Sequence, residues 1–145
     1  MREVTACFSG HRPEKLPDNG SEDSILVGQI KSMLHLQIYE AIERGYKRFI
    51  TGMAKGVDIW AAEMVLELAQ GEQDIKLICA IPYKGHGRAL SGEEMYRYNS
   101  IIDDASEVIV LSNGYTSGCM KARNEYMVDN SSLLIAVCAD YKSGT

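Results

Sequence analysis

No apolar run in this sequence approaches the roughly 20 residues that a bilayer-spanning helix requires. The N-terminus enters structure at once (Met1-Arg2-Glu3-Val4-Thr5-Ala6-Cys7-Phe8) and lacks the apolar h-region of a secretory signal, so the cytoplasm is the expected location. There is no CxxC pair and no Cys/His ligand spacing, which leaves a zinc site without support. Cys7, Cys79 and Cys138 lie inside apolar, strand-like runs, where a thiol serves as a small buried hydrophobe. Cys119, at the start of a helical segment, is the one cysteine to weigh as reactive, with an inert role the alternative. Clustered Lys and Arg are also missing, and the net charge is −5, which argues against general affinity for a nucleic acid backbone. No GxGxxG occurs, so neither an NAD enzyme nor any other cofactor is expected. Internal repeats, low-complexity tracts and linkers are absent as well. The 145 residues therefore read as one domain, 1–145.

What is present is a regular alternation. Val4–Phe8 is a short apolar run of the kind buried on both faces of a sheet. After an irregular link over 14–21 comes a helix of about 23–44, with Leu26, Ile30, Met33, Leu34, Ile38, Ala41 and Ile42 as its inward face and Gly45 as its stop. A second strand ends in Phe49-Ile50 and is followed by a helix over about 58–70 that turns Ala61, Ala62, Val65, Leu66 and Ala69 inward. Lys76–Pro82 reads as a third strand, running into a loop over Tyr83–Arg88. Ser91 and Glu94 have capping-box spacing and open a helix faced by Met95, Tyr98, Ile102 and Ala105. A strand at Glu107–Leu111, a helix over about 118–130 and a strand at Leu133–Val137 complete the series. Strand–helix alternation without a hairpin signal predicts an α/β fold, a mainly parallel five-stranded sheet with helices on both faces.

The stretch Thr51-Gly52-Met53-Ala54-Lys55-Gly56-Val57-Asp58 organises the candidate site. Two glycines four apart, between a strand and a helix, permit positive φ and close approach of a ligand to backbone N–H groups at a helix N-terminus. The simpler reading is a plain turn with Asp58 as N-cap. In a parallel α/β sheet, ligands bind beyond the carboxyl ends of the strands. The candidates are therefore Ser9, Gly10, His11 and Arg12 after the first strand, and Gly52, Met53, Lys55, Gly56 and Asp58 after the second. Tyr83 and Lys84 follow the third, Ser112 and Asn113 the fourth, and Ser143, Gly144 and Thr145 the fifth. Glycines, hydroxyls and cations at one edge suit an anionic, hydroxylated small molecule such as a nucleotide. Individually each is also explicable as a solvated loop residue or a turn. On the last helix, with Met120, Met127 and Val128 inward, Asn124 is expected to point toward the sheet with Arg123 beside it. An inward amide of that kind calls for a partner.

Three motifs together, Cys-Phe-Ser-Gly-His-Arg-Pro (7–13), Thr-Gly-Met-Ala-Lys-Gly-Val-Asp with Ala-Ala-Glu (51–58, 61–63) and Cys-Met-Lys-Ala-Arg-Asn-Glu-Tyr-Met-Val-Asp (119–129), resemble the YpsA-like family of the SMF/DprA–LOG (SLOG) Rossmann-like superfamily. The resemblance implies a three-layer Rossmann-like sandwich that binds a nucleotide or nucleotide-derived ligand, as a sensor or accessory module. Two relatives imply alternatives. LOG-type phosphoribohydrolases cleave the N-glycosidic bond of nucleoside monophosphates; Arg123 matches their arginine, Asn124 replaces their lysine, and Ser143-Gly144-Thr145 resembles part of their glycine-rich motif. DprA-type proteins bind single-stranded DNA through elements that Gly52–Asp58 and Arg123-Asn124 resemble. No general base is evident for hydrolysis: Asp58 suits an N-cap, and Glu63 sits more than a turn along its helix. Stopping at Ser143-Gly144-Thr145, on a loop, is expected to mark a truncation or a disordered tail; a homo-oligomer is compatible with the sequence. Single-stranded DNA should bind only weakly at physiological salt. Submicromolar affinity with a steep salt dependence in a filter or anisotropy assay would overturn that expectation.

Overall fold

The computed structural model describes residues 1–71 and 74–137. Five strands, Thr5–Gly10 (β1), Arg48–Thr51 (β2), Lys76–Ile81 (β3), Glu107–Val110 (β4) and Leu133–Val137 (β5), alternate with helices Ile25–Glu43 (α1), Val57–Ala69 (α2), Gly92–Asp104 (α3) and Cys119–Asp129 (α4). The strands form one sheet in the order β4-β3-β2-β1-β5, and every pairing is parallel. The chain steps outward from β1 to β4 and then returns across the sheet to place β5 on β1's free side. With right-handed crossovers, α1, α2 and α3 fall on one face and α4 on the other. This is a Rossmann-like α/β sandwich.

Alternation along the strands divides the core accordingly. Ala6, Phe8, Phe49, Leu77, Cys79 and Ile135 join the buried side chains of α1, α2 and α3 in the larger cluster. Cys7, Ile50, Ile78 and Ala80 turn the other way, onto Met127 of α4. Among the described residues, that second face has a single helix as cover. β4 lies at the sheet edge with Val108 and Val110 largely exposed, so it is not the buried strand that its apolar run resembles.

Helix α1 starts where the Ser24 hydroxyl accepts the Val27 N–H at 3.3 Å. It stops in a Schellman arrangement: the Gly45 N–H donates to the Ile42 carbonyl and the Tyr46 N–H to that of Ala41, each at 3.0 Å, with Gly45 at φ +99°. Its buried face is Val27, Leu34, Ile38 and Ala41. Leu26 and Met33, expected inward, are exposed instead. Apolar residues occur on every side of α1's first turns, so periodicity alone could not fix its rotation. At α3, Ser91 occupies the N-cap, but its hydroxyl makes no capping bond and the expected capping box is not formed. The Glu94 carboxylate lies instead 3.6 Å from the Lys55 ammonium.

Phe49 is fully buried at the centre of the larger cluster, stacked on Phe8 with ring centroids 6.1 Å apart. Phe49→Ala should lower unfolding free energy by about 3–5 kcal/mol. Val108→Ala on the exposed edge should change it by no more than about 0.5 kcal/mol. Urea denaturation of the two variants checks both values; equal losses would contradict this division between core and edge.

Candidate functional site

The loop between β2 and α2 is built around a buried charge. Arg123, on α4 and 5% exposed, donates from Nη1 to the Gly52 carbonyl at 2.6 Å and from Nε to Asn124 Oδ1 at 2.8 Å. A Cβ on Gly52 would stand 2.8 Å from the guanidinium carbon, so only glycine admits this contact. The loop is then stitched onto α2. Thr51 Oγ1 donates to the Asp58 carbonyl at 2.9 Å and accepts the Met53 N–H at 3.3 Å, while Asp58 Oδ2 accepts the Ala54 N–H at 3.2 Å. Met53 is held in the left-handed region, φ +62°, although it is not glycine and is buried; strain of this kind persists where the surroundings over-determine a loop. Gly56 follows at φ +91°, and its Cβ would meet the His11 carbonyl at 2.9 Å. The β1 and β2 loops are thus pressed together. Asp58 is the second residue of α2 rather than its cap, which is Gly56.

Above these loops opens a cleft of about 600 Å³. One wall is the β1–α1 connection, including Arg12, Pro13, Glu14 and Glu22. The floor is Met53–Gly56 with Ile59 and Trp60, and the far wall carries Tyr83, His86, Glu93, Glu94 and Arg97. His86 Nδ1 lies 3.1 Å from the Tyr98 hydroxyl, and its ring meets Tyr83 edge-on at 5.4 Å. Burial, then the nearby Arg123 and Arg12, push the His86 pKa down to about 4, so the ring is neutral at pH 7. Burial drives Asp58 the opposite way, from 3.8 to about 6, against the pull of Arg123, the Ala54 N–H and Arg12. Across the mouth, Arg97 is gripped by Glu63 (Nε to Oε2, 2.9 Å) and by Glu22 (Nη1 to Oε2, 2.6 Å). Hydrogen bonding to Arg97 is the main cause that holds Glu22 down at about 2. Among the described residues no group of three or more His, Cys, Asp or Glu could hold a metal ion, and no helix is long and apolar enough to cross a membrane.

This sheet order, these two glycine loops and the arginine that joins them accompany a match in sequence: the YpsA family model, described as YspA SLOG family, covers residues 6–145. The chain belongs to this family. It is 32% identical over 130 residues to the Uncharacterized SPbeta prophage-derived protein YoqJ of Bacillus subtilis, covering 81% of this chain and 76% of that protein. A UPF0398 protein of Bacillus cereus (strain G9842) is 29% identical over 82% of this chain and 66% of its own length. One from Halalkalibacterium halodurans is 28% identical over 80% and 62%. The chain therefore spans between 62% and 76% of these relatives' own lengths.

Of the candidates read from the sequence, Arg12, Met53, Lys55, Gly56 and Tyr83 line the cleft. Gly10, Gly52, Asp58 and Arg123 lie behind the lining as its support; a Cβ on Gly10 would meet Val57 at 2.5 Å. His11 opens the β1 loop with its carbonyl against Gly56, and its Nε2 is enclosed and without a hydrogen-bond partner among the described residues. Ser9 is exposed at the end of β1. Ser112 and Asn113 are outside the cleft: the Ser112 hydroxyl donates to the Gly114 carbonyl at 2.8 Å, and its own carbonyl accepts the Lys84 N–H at 2.9 Å. Asn124 and Arg123 exchange the places expected of them. Cys119, Arg123 and Met127 form the buried stripe of α4, while Asn124 and Val128 are exposed. A one-residue error in helix rotation accounts for the exchange. Cys119, the cysteine weighed as reactive, is buried. Cys138, Ser143, Gly144 and Thr145 lie outside the described residues.

Sequence reasoning missed Arg97, Glu22, Glu93 and Trp60. Arg97 bonds to partners 34 and 75 positions away, and no local pattern announces such a cluster.

The two shifted groups oppose each other in acid. Asp58 has its pKa raised on folding, so it lowers stability as pH rises from about 4 through about 6. His86 has its pKa lowered, so it lowers stability as pH falls from 6.5 toward about 4. Asp58→Asn should therefore make stability fall more steeply between pH 6.5 and pH 4, and His86→Gln should flatten that fall. Denaturant unfolding across this range measures both; identical slopes in the two variants would refute the assignment.

Proposed function

We propose that the chain binds a nucleotide or nucleotide-derived ligand of low charge in the cleft over β1, β2 and β3, as a sensor or accessory module. The observation that carries this reading is the pairing of charges in the lining. Arg97 is engaged by Glu22 and Glu63, and Lys55 lies 3.6 Å from Glu94, whereas Arg12 has no ion-pair partner among the described residues. A single phosphate suits one uncommitted guanidinium. A triphosphate would bring its charge against Glu14, Glu93 and Glu94. The rings of Tyr83 and His86 offer planar, uncharged surface to a base, and carboxylates suit ribose hydroxyls. Membership of a SLOG family and the position of the cleft at the strands' carboxyl ends support the same reading. The carboxylate-rich lining tells against single-stranded nucleic acid as ligand.

Hydrolysis of a nucleoside monophosphate is the second reading, favoured by the acids at the cleft. Glu63 grips Arg97 rather than lining the cleft, and Asp58 lies beneath it, but Glu14 and Glu93 face the cleft. Glu22, held at about 2, is too weak a base to activate water.

Calorimetry with adenosine, AMP and ATP tests the proposal. AMP should bind, ATP more weakly, and Arg12→Ala should weaken AMP at least about 10-fold. Absence of binding by every nucleoside and nucleotide, or an unchanged affinity in Arg12→Ala, would remove the reading. Release of free base from AMP, lost in Glu93→Gln, would favour the hydrolase.

A further inference from the structure

The outer face of α1 carries more apolar surface than the fold uses. Ile25 is 80% exposed, Met33 63%, Leu36 53%, Tyr39 48% and Leu26 45%, all on one helix. Between Ile25 and Tyr39 the exposed positions that complete this face are Gln29 and Ser32, so the stripe carries no charge. Large exposed apolar patches on otherwise polar surfaces mark contacts with another body. Gly28 adds an independent observation. A Cβ there would meet nothing within 4 Å, its φ is not positive, and glycine inside a helix costs about 1 kcal/mol against alanine. Nothing among the described residues requires a glycine at that position. A second helix approaching closely would require one.

We infer that α1 is a homodimer interface, in which two copies of the chain pack their α1 helices antiparallel about a two-fold axis near Ser32. An isologous contact must be self-complementary, and this register makes it so. Ile25 of one copy stands opposite Tyr39 of the other, and Leu36 lies at the level of the other copy's Gly28, large against small. The exposed positions of this face between residues 25 and 39 are uncharged, and Lys31, less exposed, is turned to Glu22, so the contact buries no unpaired ionised group. The antiparallel arrangement also sets each helix N-terminus beside the other's C-terminus, so the helix dipoles attract. The five apolar side chains offer roughly 500 Å² per copy, and Gln29 and Ser32 bring the contact toward the about 800 Å² each partner gives to a standard interface. The interface is independent of the cleft reading, because none of these residues lines the cleft.

Sedimentation equilibrium of the whole chain tests the inference. The parent should sediment with twice the monomer mass. Leu36→Glu, and separately Gly28→Leu, should raise the dimer dissociation constant at least about 100-fold, since each places charge or bulk in the contact. Both positions are free of intramolecular packing constraints, so circular dichroism and thermal unfolding should show each variant folded. Ser32→Cys should form a disulfide between copies under mild oxidation, because the position lies at the axis and Cys7, Cys79 and Cys119 are buried. A monomeric parent up to about 100 µM would overturn the inference, as would a dimer indifferent to both substitutions. A monomer that sediments with phosphatidylcholine vesicles would assign the stripe to lipid and equally overturn it.

Discussion

The carboxyl edge of this sheet depends on one buried guanidinium. Arg123 brings a positive charge into a largely buried place, where its Nη1 and Nε donate to the Gly52 carbonyl and the Asn124 side-chain oxygen and Asp58 supplies opposite charge nearby. Around that arrangement the remaining choices follow. Gly52 lacks a Cβ because the guanidinium occupies the space. With the Gly52 carbonyl turned toward α4, the chain passes through Met53 in the left-handed region and reaches α2 by way of Gly56. Gly56 lies against the His11 carbonyl, so the β1 loop is seated by the same contacts. Removing the arginine would leave the Gly52 carbonyl without its donor and Asp58 without its nearest compensation, in a region that both loops share.

The cleft above is consequently rigid on its floor and electrostatically divided along its rim. Arg97 ties together the segment before α1, through Glu22, and α2, through Glu63. Its charge is consumed in holding walls together and is not offered to a ligand. Arg12, by contrast, lies close enough to Asp58, Arg123 and His86 to affect the ionisation of all three, which places it at the electrostatic centre of the site. On the proposed reading, a cleft in which Arg12 is uncommitted among the described residues, beside neutral rings and several carboxylates, would discriminate by charge as well as by shape. Each further phosphate on such a ligand would then meet repulsion that a single phosphate avoids.

How much of this was legible in the sequence follows from the range of each interaction. Strand and helix positions were readable because alternating apolar runs and glycine stops are local; β5 was read at Leu133–Val137, where the structure has it. Helix rotation was not readable in α1 or α4. In α1, apolar residues surround the helix, and only packing selects Val27 over Leu26. In α4, a long basic side chain takes a place that hydropathy assigns to something else, because its hydrogen bonds lie 71 positions away at Gly52. The glycines of the candidate site could be read from sequence, since each marks a steric demand. The Arg97 cluster could not, since its members are joined only by the folded topology.

Helix α1 connects the two surfaces that folding alone does not explain. Its buried residues are Val27, Leu34, Ile38 and Ala41, with Ile30 and Ile42 packed beside them, whereas the apolar residues on its outer face are about half or more exposed among the described residues. Its first turn, however, is fastened to the cleft. Ser24 bonds to Asp18 in the β1 connection, Lys31 holds Glu22 at 2.7 Å, and Glu22 in turn grips Arg97. A body seated on the outer face would fix the rotation of α1, and through Glu22 the position of the cleft wall. Small rotations of a helix end move a carboxylate by distances comparable to a hydrogen bond, and charge-assisted contacts such as Glu22–Arg97 weaken steeply over that range. The outer face of α1 and the cleft wall thus adjoin the same short segment between Asp18 and Ser24, so a contact proposed at one would be felt at the other through Glu22.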